Sequence, residues 1–279
     1  MNTVRRVREP IVDGLFYSSE ASTLTDTIVR LSERVDVPKI DAGRIVAPHA
    51  TYEYCGPSIA SSYKSASGRS FDVVVIIAPV HREPSNSIIL TESEIFTIPT
   101  GSIEVDIEAV LEVEACSTKI IRNDVPHLEE HAVEVQLPFV RHFFPNAKIV
   151  PVLLGSTTAA NVRTLSRALE SAFPASNESV LFVASSNLCA GCTPGRAETE
   201  IALLSSLIES KDADGIVSRY EARELTACGC GCIASILTFG GKAHEVCAHT
   251  RTESPVDDTE GTASTWYGSF SFHPAAKEP

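Results

Sequence analysis

The fold is decided by a short apolar stretch, FDVVVIIA at residues 71–78, which continues into Pro79, Val80 and His81. Because valine and isoleucine dominate this stretch without polar alternation, it predicts a strand buried on both faces, as in a parallel or mixed sheet covered by helices. Three further runs have the same character: Arg44 to Ala47, Lys148 to Leu154 and Ser179 to Ala184. Together the four runs predict the centre of one sheet.

Helical periodicity separates these strands. Apolar residues recur every three or four positions between Ser18 and Val35, which is the spacing of one helical face. The other helical patterns cover Ile103 to Val113, Glu129 to Phe144, Ala159 to Phe173, Ala197 to Ile208 and Cys230 to Phe239. Strands that alternate with helices predict an α/β fold, here a central mixed, largely parallel sheet flanked by helices. We predict a single domain over residues 1–279, with a late strand at Ser264 to Phe272 and a mobile loop at Thr250 to Thr262.

The composition fits this fold and argues against several classes of function. Of the 279 residues, 43% are hydrophobic and 21% are charged, which is enough apolar material for a large core and argues against disorder. The net charge of −13 disfavours nucleic acid as a partner, because an acidic surface repels phosphate. No apolar run approaches the roughly 20 residues of a membrane span. The N-terminal arginines are followed by Glu9 and Pro10 rather than by the apolar core of a signal peptide. We therefore expect a cytoplasmic protein without membrane contact, and the sequence leaves a homo-oligomer open.

Polar residues follow three of the strands directly. The run that ends at Pro48 leads into His49, the run that ends at Val80 leads into His81, and the run before Ser185 leads into Asn187. Ligands of α/β sheets bind at the carboxyl ends of the strands, so these side chains are placed to converge. A single histidine of this kind is more often a structural imidazole, but two in matched positions favour a site.

The cysteines supply a further element. Eight cysteines without an export signal predict thiols, metal ligands or reactive groups before disulfides. Cys228 lies just before a helical run together with Cys230 and Cys232, and a helix N-terminus stabilises a thiolate. Cys189 and Cys192 form a Cys-x-x-Cys motif, but the spacing to Cys228 matches neither a standard zinc ribbon nor a common iron–sulfur pattern. The remaining cysteines are predicted to be small buried hydrophobes: Cys55, Cys116 and Cys247.

The segment EEHAVEVQLP at residues 129–138 reads as part of a helix. In a helix His131 and Glu134, three residues apart, lie on neighbouring parts of one face. Such a pair could act as acid and base, or could support a metal ligand from behind. A solvated helix face explains the spacing equally well.

At this point the motifs resemble those of a known family, the Memo (mediator of cell motility) proteins, over nearly the whole chain. The segment APHATYEYCG at residues 47–56 resembles the family's APHAGYxYxG signature. The other matching segments follow in the family's order: Arg8-Glu9 with GLFY at residues 14–17, APVH at 78–81, EHAVEVQLP at 130–138 and IVPVLLG at 149–155.

The resemblance implies a fold like that of class III extradiol dioxygenases and a metal pocket. In it, His49, His81 and Cys228 match the family's two histidine ligands and one cysteine ligand, and His131 and Glu134 line or support the pocket. Two segments depart from the pattern. The aspartate and histidine of the family's S-S-D-x-[ST/C]-H motif are Asn187 and Ala190 here, and the family's C-G-x-x-P segment reads CGCGC at residues 228–232, which adds thiols. Asn187 can form hydrogen bonds but cannot take up a proton, so the reaction is expected to be retuned.

These observations lead to three hypotheses. The first is a metal-dependent oxygenase or oxidase that uses dioxygen on a small molecule, for example an aromatic such as a catechol or aminophenol. It would carry ferrous iron, with copper or zinc as alternatives for the same ligands, and its catalytic residues would be His131, Glu134 and Asn187. The second is a non-catalytic protein that binds a peptide or another ligand. The third is a cysteine-rich redox or metal-handling protein built on the clustered thiols at positions 189, 192, 228, 230 and 232.

Overall fold

The computed structural model describes residues 5–40, 42–82, 85–174, 178–238, 244–253 and 263–274. Twelve strands occur in these residues: β1 Val7–Arg8, β2 Arg44–Ala47, β3 Val73–Pro79, β4 Ile88–Leu90, β5 Ile95–Ile98, β6 Gly101–Glu104, β7 Ile120–Arg122, β8 Lys148–Leu154, β9 Val180–Ser185, β10 Cys189–Cys192, β11 His244–Glu253 and β12 Ser264–Pro274. The same residues contain nine α-helices: α1 Ala21–Arg34, α2 Tyr52–Ala66, α3 Ile107–Ala115, α4 Asp124–Glu129, α5 Leu137–Phe143, α6 Ala159–Ala172, α7 Pro194–Glu209, α8 Ala213–Glu221 and α9 Cys230–Thr238. A short 3₁₀ turn at Glu134–Gln136 precedes α5.

The strands form one large and one small sheet. The nine-stranded sheet has the order β10-β12-β2-β9-β3-β8-β4-β7, with β11 paired to β12 as well, and the small sheet has the order β1-β5-β6. At the centre of the large sheet, β2, β9, β3 and β8 are parallel, whereas β12 and β4 run antiparallel to their neighbours at its two sides. The predicted α/β class with a mixed, largely parallel sheet is confirmed.

The central strands are buried along nearly their whole length. Every residue of β2 and β9 is buried, as are six of the seven residues of β3. Helices cover them; α9 contacts β9 and β3, and α2 contacts β2. Burial on both faces therefore explains the continuous apolar runs of the sequence. Polar residues alternate with apolar ones where one face of a strand contacts water, and these strands have no such face.

The helix predicted over Glu129 to Phe144 is confirmed only in its second half. The chain forms α4 up to Glu129, leaves the helical path at Glu130 (φ −101°, ψ 127°) and becomes helical again only from Glu134. Glu130 is held there because its carboxylate accepts hydrogen bonds from the backbone N–H groups of His81 and Ala132. These contacts outweigh the local helical preference.

Two other boundaries also differ from the prediction. The segment predicted as a helix from Ile103 begins as strand β6, and α3 starts only at Ile107, where the Asp106 side chain caps it by accepting from the Ala109 N–H (3.2 Å). The loop predicted from Thr250 is a strand up to Glu253, and residues 254–262 lie outside the described residues. Within the part of the chain that the structure describes, no helix has the length and apolarity needed to cross a bilayer.

Candidate metal centre

The centre lies where three adjacent parallel strands end. In the sheet β9 lies between β2 and β3, so His49 after β2 and His81 after β3 approach each other across the end of β9. Their ring centroids are 5.1 Å apart. The parallel arrangement thus brings together two histidines that are 32 residues apart in the sequence, as the strand-end pattern predicts.

Cys228 reaches the same point from the loop before α9. Its Sγ lies 3.0 Å from Nε2 of His49. The next residue makes this approach possible: a side chain at Gly229 would place its Cβ 2.4 Å from the Ser185 carbonyl oxygen, so only glycine fits against the end of β9. The Gly229 N–H also donates to Oγ of Ser186 (3.1 Å), which fixes the loop on the strand end.

The hydrogen bonds of Ser185 determine the protonation of His49. The Ser185 hydroxyl donates to the Ala132 carbonyl (2.8 Å), so its lone pairs accept from the Gln136 amide and from Nδ1 of His49 (2.8 Å). His49 therefore carries its proton on Nδ1, and the lone pair of Nε2 faces Cys228. Burial, together with the nearby His81 and His131, lowers the pKa of His49 well below its ordinary value, so the ring is neutral.

His81 is oriented by Glu130 in the same way. Nδ1 of His81 lies 3.0 Å from both carboxylate oxygens of Glu130, and the His81 backbone N–H donates to the same carboxylate (2.8 Å). Burial acts to lower the pKa of His81, but hydrogen bonds to Cys228 and Glu130 outweigh it and raise the pKa to about 10. A Nδ1–H donated to a carboxylate is the usual arrangement behind metal-bound histidines, and a metal ion at Nε2 would take the place of the second ring proton.

The three side chains fit a metal ion. One donor atom from each of His49, His81 and Cys228 lies within 4.8 Å of the other two. Two donors on a tetrahedral ion with bonds of about 2.0 and 2.3 Å are about 3.5 Å apart, so the 3.0 Å between Nε2 and Sγ needs only a small opening. Two imidazoles and a thiolate form a borderline-soft donor set that suits iron, copper or zinc.

His131 lies beside this donor set. Its ring stacks on His81 at 4.9 Å between centroids, and its Nδ1 is 3.2 Å from the Glu130 carboxylate. The Phe16 ring packs against it in a T-shaped arrangement, with 5.0 Å between the ring centroids. Burial lowers the pKa of His131, the largest effect, with the repulsion of His81 acting the same way. His131 is thus a largely neutral imidazole that can accept a proton next to the donors.

Glu134 does something different from the predicted acid–base role. Its carboxylate, fully buried, is ion-paired with Arg8 and accepts from the Tyr17 hydroxyl (2.6 Å) and from the backbone N–H groups of Ile11 and Val12. All of these partners belong to the N-terminal segment. We therefore correct the acid–base assignment: both Glu134 oxygens are occupied in anchoring that segment.

Asn187 also acts indirectly. It is nearly buried, and its side-chain oxygen accepts from the His49 backbone N–H (3.0 Å), so it fixes the residue that carries the ligand. The sequence reasoning assigned no role to three residues that hold the ligands: Glu130, Ser185 and Gln136. Each of the three lies within or beside a motif of the sequence, which is the signal that could have identified it. Only the three-dimensional contacts show which atoms each residue hydrogen-bonds.

The clustered thiols separate into different environments. Cys228 joins the histidines, Cys230 and Cys232 are buried within α9, and Cys189 and Cys192 form a disulfide. The single five-thiol cluster of the third hypothesis is therefore absent from the described residues, and the disulfide departs from the expectation of thiols. Cys55 is buried as predicted; Cys116 is exposed, contrary to prediction, and the side chain of Cys247 lies outside the described residues.

Comparison with known proteins identifies the family of this chain. A family model described as "Memo-like protein" matches residues 8–265. A MEMO1 family protein of Methanococcoides burtonii is 30% identical over 256 residues, which are 91% of this chain and 94% of that protein. One from Nitrosopumilus maritimus is 26% identical over 277 residues (95% and 99%), and one from Pyrobaculum aerophilum is 33% identical over 192 residues (65% and 68%). Because the matched region runs through both strand-end histidines and Cys228, and covers nearly the whole chain, the protein belongs to the Memo family.

Proposed function

We propose that the protein is a metal-dependent oxygenase or oxidase that uses dioxygen on a small molecule. The observation that carries the proposal is the convergence of His49, His81 and Cys228, with the free Nε2 lone pair of His49 turned toward the thiol. The proposed metal is ferrous iron, with copper or zinc as alternatives for the same donors. An ion bound by three protein ligands keeps open positions at which it can bind and polarise a substrate oxygen and bind dioxygen.

The chain's own residues support this chemistry by holding the ligands in fixed directions. Ser185 and Asn187 fix His49 through its ring and its backbone, and Glu130 fixes His81 through both. Such partners behind the ligands typically change metal affinity or activity by about 10- to 100-fold. The rigid strand ends beneath them limit any rearrangement when a ligand binds.

The proposed proton acceptor is His131. It is neutral through burial, it lies next to the donor set, and Glu130 is placed to stabilise the imidazolium that forms when it takes a proton. Burial acts to raise the pKa of Glu130, but hydrogen bonding and attraction from His81 lower it on balance, so the carboxylate stays ionised. Because Asn187 and Ala190 cannot take a proton from a substrate hydroxyl, His131 and Glu130 carry that task.

The proposed substrate class is a small aromatic with an acidic hydroxyl or amino group, such as a catechol or aminophenol. Phe16 supplies an apolar ring beside His131, and His131 can accept the proton that such a substrate loses on binding. This assignment extends the likeness to the extradiol dioxygenase fold and is tested together with the metal.

The test combines metal analysis with oxygen uptake. Protein purified without oxygen is loaded with ferrous iron, and oxygen consumption is measured with a panel of catechols and aminophenols. We expect about one iron per chain and substrate-dependent oxygen uptake, both lost in His49→Ala and retained in His142→Ala, which removes an exposed histidine outside the centre. Iron binding that is unaffected by His49→Ala would overturn the proposal. Tight binding of one metal with no oxygen uptake for any substrate would favour the non-catalytic binding protein instead.

A further inference from the structure

A second group of metal-ligating side chains lies apart from the centre, at the edge strand β10. Cys189 and Cys192 occupy the two ends of this strand, which pairs with β12 through an irregular register. Between them Gly191 adopts a positive φ of +68°, a conformation that glycine takes without strain. The turn brings the two sulfurs together, and both cysteines are almost fully buried, with exposures of 0% and 1%.

A buried carboxylate faces the two sulfurs. Glu200, from α7, is only 3% exposed, and one of its oxygens lies within 4.8 Å of both Sγ atoms. The Thr226 hydroxyl donates to Oε2 of Glu200 (2.7 Å) and lies 3.4 and 3.2 Å from the sulfurs of Cys189 and Cys192. Two sulfurs, one carboxylate oxygen and one hydroxyl oxygen therefore lie close together in one buried region.

The charges in this region balance when the cysteines are reduced and a divalent cation is present. The Glu200 carboxylate by itself is satisfied, because Oε2 also accepts from the Thr226 backbone N–H (2.8 Å) and the other oxygen is ion-paired with Arg196, whose Nε donates to it (2.5 Å). Two thiolates and one carboxylate carry three negative charges, and a divalent cation with Arg196 carries three positive charges. The disulfide state lacks two of the negative charges and needs no cation.

We propose that Cys189, Cys192 and Glu200 form a second metal site when the cysteines are reduced, and that the disulfide is the oxidised state of this site. The two thiolates select a borderline or soft ion, of which Zn²⁺ has the matching tetrahedral preference and no redox chemistry of its own. Oxidation balances with a peroxide as oxidant: the two thiolates give two electrons and form one S–S bond. The peroxide takes these electrons and two protons to become water, and the Zn²⁺ ion is released.

The site is distinct from the centre formed by His49, His81 and Cys228, because the two groups share no donor atom. They are nevertheless close in the chain, since Thr226 lies two residues before Cys228. A test must therefore remove the thiol of the first centre without touching the second. Cys228→Ser does this.

The experiment uses the full-length Cys228→Ser variant, reduced with a phosphine, freed of metal and titrated without oxygen with Co²⁺ and then Zn²⁺. We expect one tight site per chain, thiolate-to-cobalt charge-transfer absorption, displacement of Co²⁺ by Zn²⁺, and release of the ion when peroxide consumes two thiols. Adding Cys192→Ser should weaken binding by about 100-fold or more and abolish the charge-transfer absorption. Adding Glu200→Gln should weaken binding by about 10-fold while keeping that absorption.

The matched control is Cys116→Ser in the same background, because Cys116 is an exposed thiol outside the site. It should leave the titration unchanged. Circular dichroism of each variant establishes that it is folded. If Cys192→Ser is not folded, Glu200→Gln still tests the proposal. The proposal is overturned if the reduced Cys228→Ser protein shows no charge-transfer absorption with Co²⁺, or if folded Cys192→Ser or Glu200→Gln binds Zn²⁺ as tightly as its parent.

Discussion

Glu130 and Glu134 are two buried carboxylates one helical turn apart in the sequence, and they belong to different parts of the molecule. Glu130 faces His81 and His131 and belongs to the proposed metal centre, whereas Glu134 faces Arg8 and Tyr17 and belongs to the anchor of the N-terminal segment. The break in the helix between them turns the two side chains toward different partners. The comparison teaches that the role of a buried carboxylate here is set by the element it faces, not by spacing along the chain.

The largest expected effect is on stability, from Glu134→Gln. The change leaves the buried Arg8 guanidinium without its counter-charge, and breaking a buried pair in this way typically costs about 3 to 5 kcal/mol. Urea denaturation measures the free energy of unfolding, and iron content per folded chain should stay near that of the parent. If Glu134→Gln instead loses the metal at unchanged stability, the division between anchor and centre is wrong.

The anchor should also make the fold sensitive to acid through His127, whose carbonyl accepts from Arg8. Burial, the largest effect, lowers the pKa of His127 to about 4 in the folded chain, against about 6.5 when unfolded. Between these values the unfolded state binds more protons, so stability falls as the pH drops from about 6.5 to about 4, by about 3 kcal/mol in total. Urea denaturation across this range, compared with His127→Gln, isolates the contribution; equal slopes for both proteins would contradict it.

Glu130→Gln should give the opposite pattern to Glu134→Gln. The amide loses the charge that stabilises the Nδ1–H of His81 and its partner His131, so metal affinity should fall by about 10- to 100-fold. The free energy of unfolding should change less than in Glu134→Gln, because no buried guanidinium is left unpaired. A competition titration with a chelator measures the affinity, and identical losses in both variants would remove the distinction between the two carboxylates.

A smaller effect is expected from Ser185→Ala. It removes the acceptor for Nδ1 of His49, which remains anchored through its backbone N–H to Asn187. We expect metal affinity to fall by about 10-fold, at the low end of the range for such partners. The matched control is Ser166→Ala, which removes another buried serine hydroxyl whose contacts are with backbone carbonyls away from the centre. Similar losses in the two variants would show a general packing effect.

The sequence predicted the parts of this arrangement that depend on strand order alone. Continuous apolar runs identify buried parallel strands, and because such strands end at one edge of the sheet, His49 and His81 were expected to meet before any contact was known. Cys228 was predicted as the third ligand from the family motif and from its position just before a helix. Residues that meet at the ends of parallel strands can be inferred in this way, because the direction of the chain fixes at which edge of the sheet each strand ends.

The remaining features depend on specific contacts, some between distant segments and some within a local turn. The helical pattern around His131 suggested an acid–base pair with Glu134, but hydrogen bonds from His81 and Ala132 draw Glu130 out of the helix, and Arg8 takes Glu134. The pairing of Cys189 with Cys192 depends on a single backbone turn at Gly191. Hydrophobic periodicity encodes none of these outcomes, because each depends on a particular hydrogen bond, ion pair or backbone turn.

The most direct test of the metal centre is X-ray absorption at the iron edge of anaerobically loaded protein. The account predicts one sulfur and two imidazole nitrogens at about 2.0 to 2.4 Å from the iron. The measurement is made on Cys192→Ser protein, in which the second pair of thiolates is broken; there the sulfur contribution should be present, and it should disappear when Cys228→Ser is added. An iron environment of oxygen and nitrogen alone in Cys192→Ser, or a sulfur contribution that survives the added Cys228→Ser, would contradict the claim that His49, His81 and Cys228 hold the metal together.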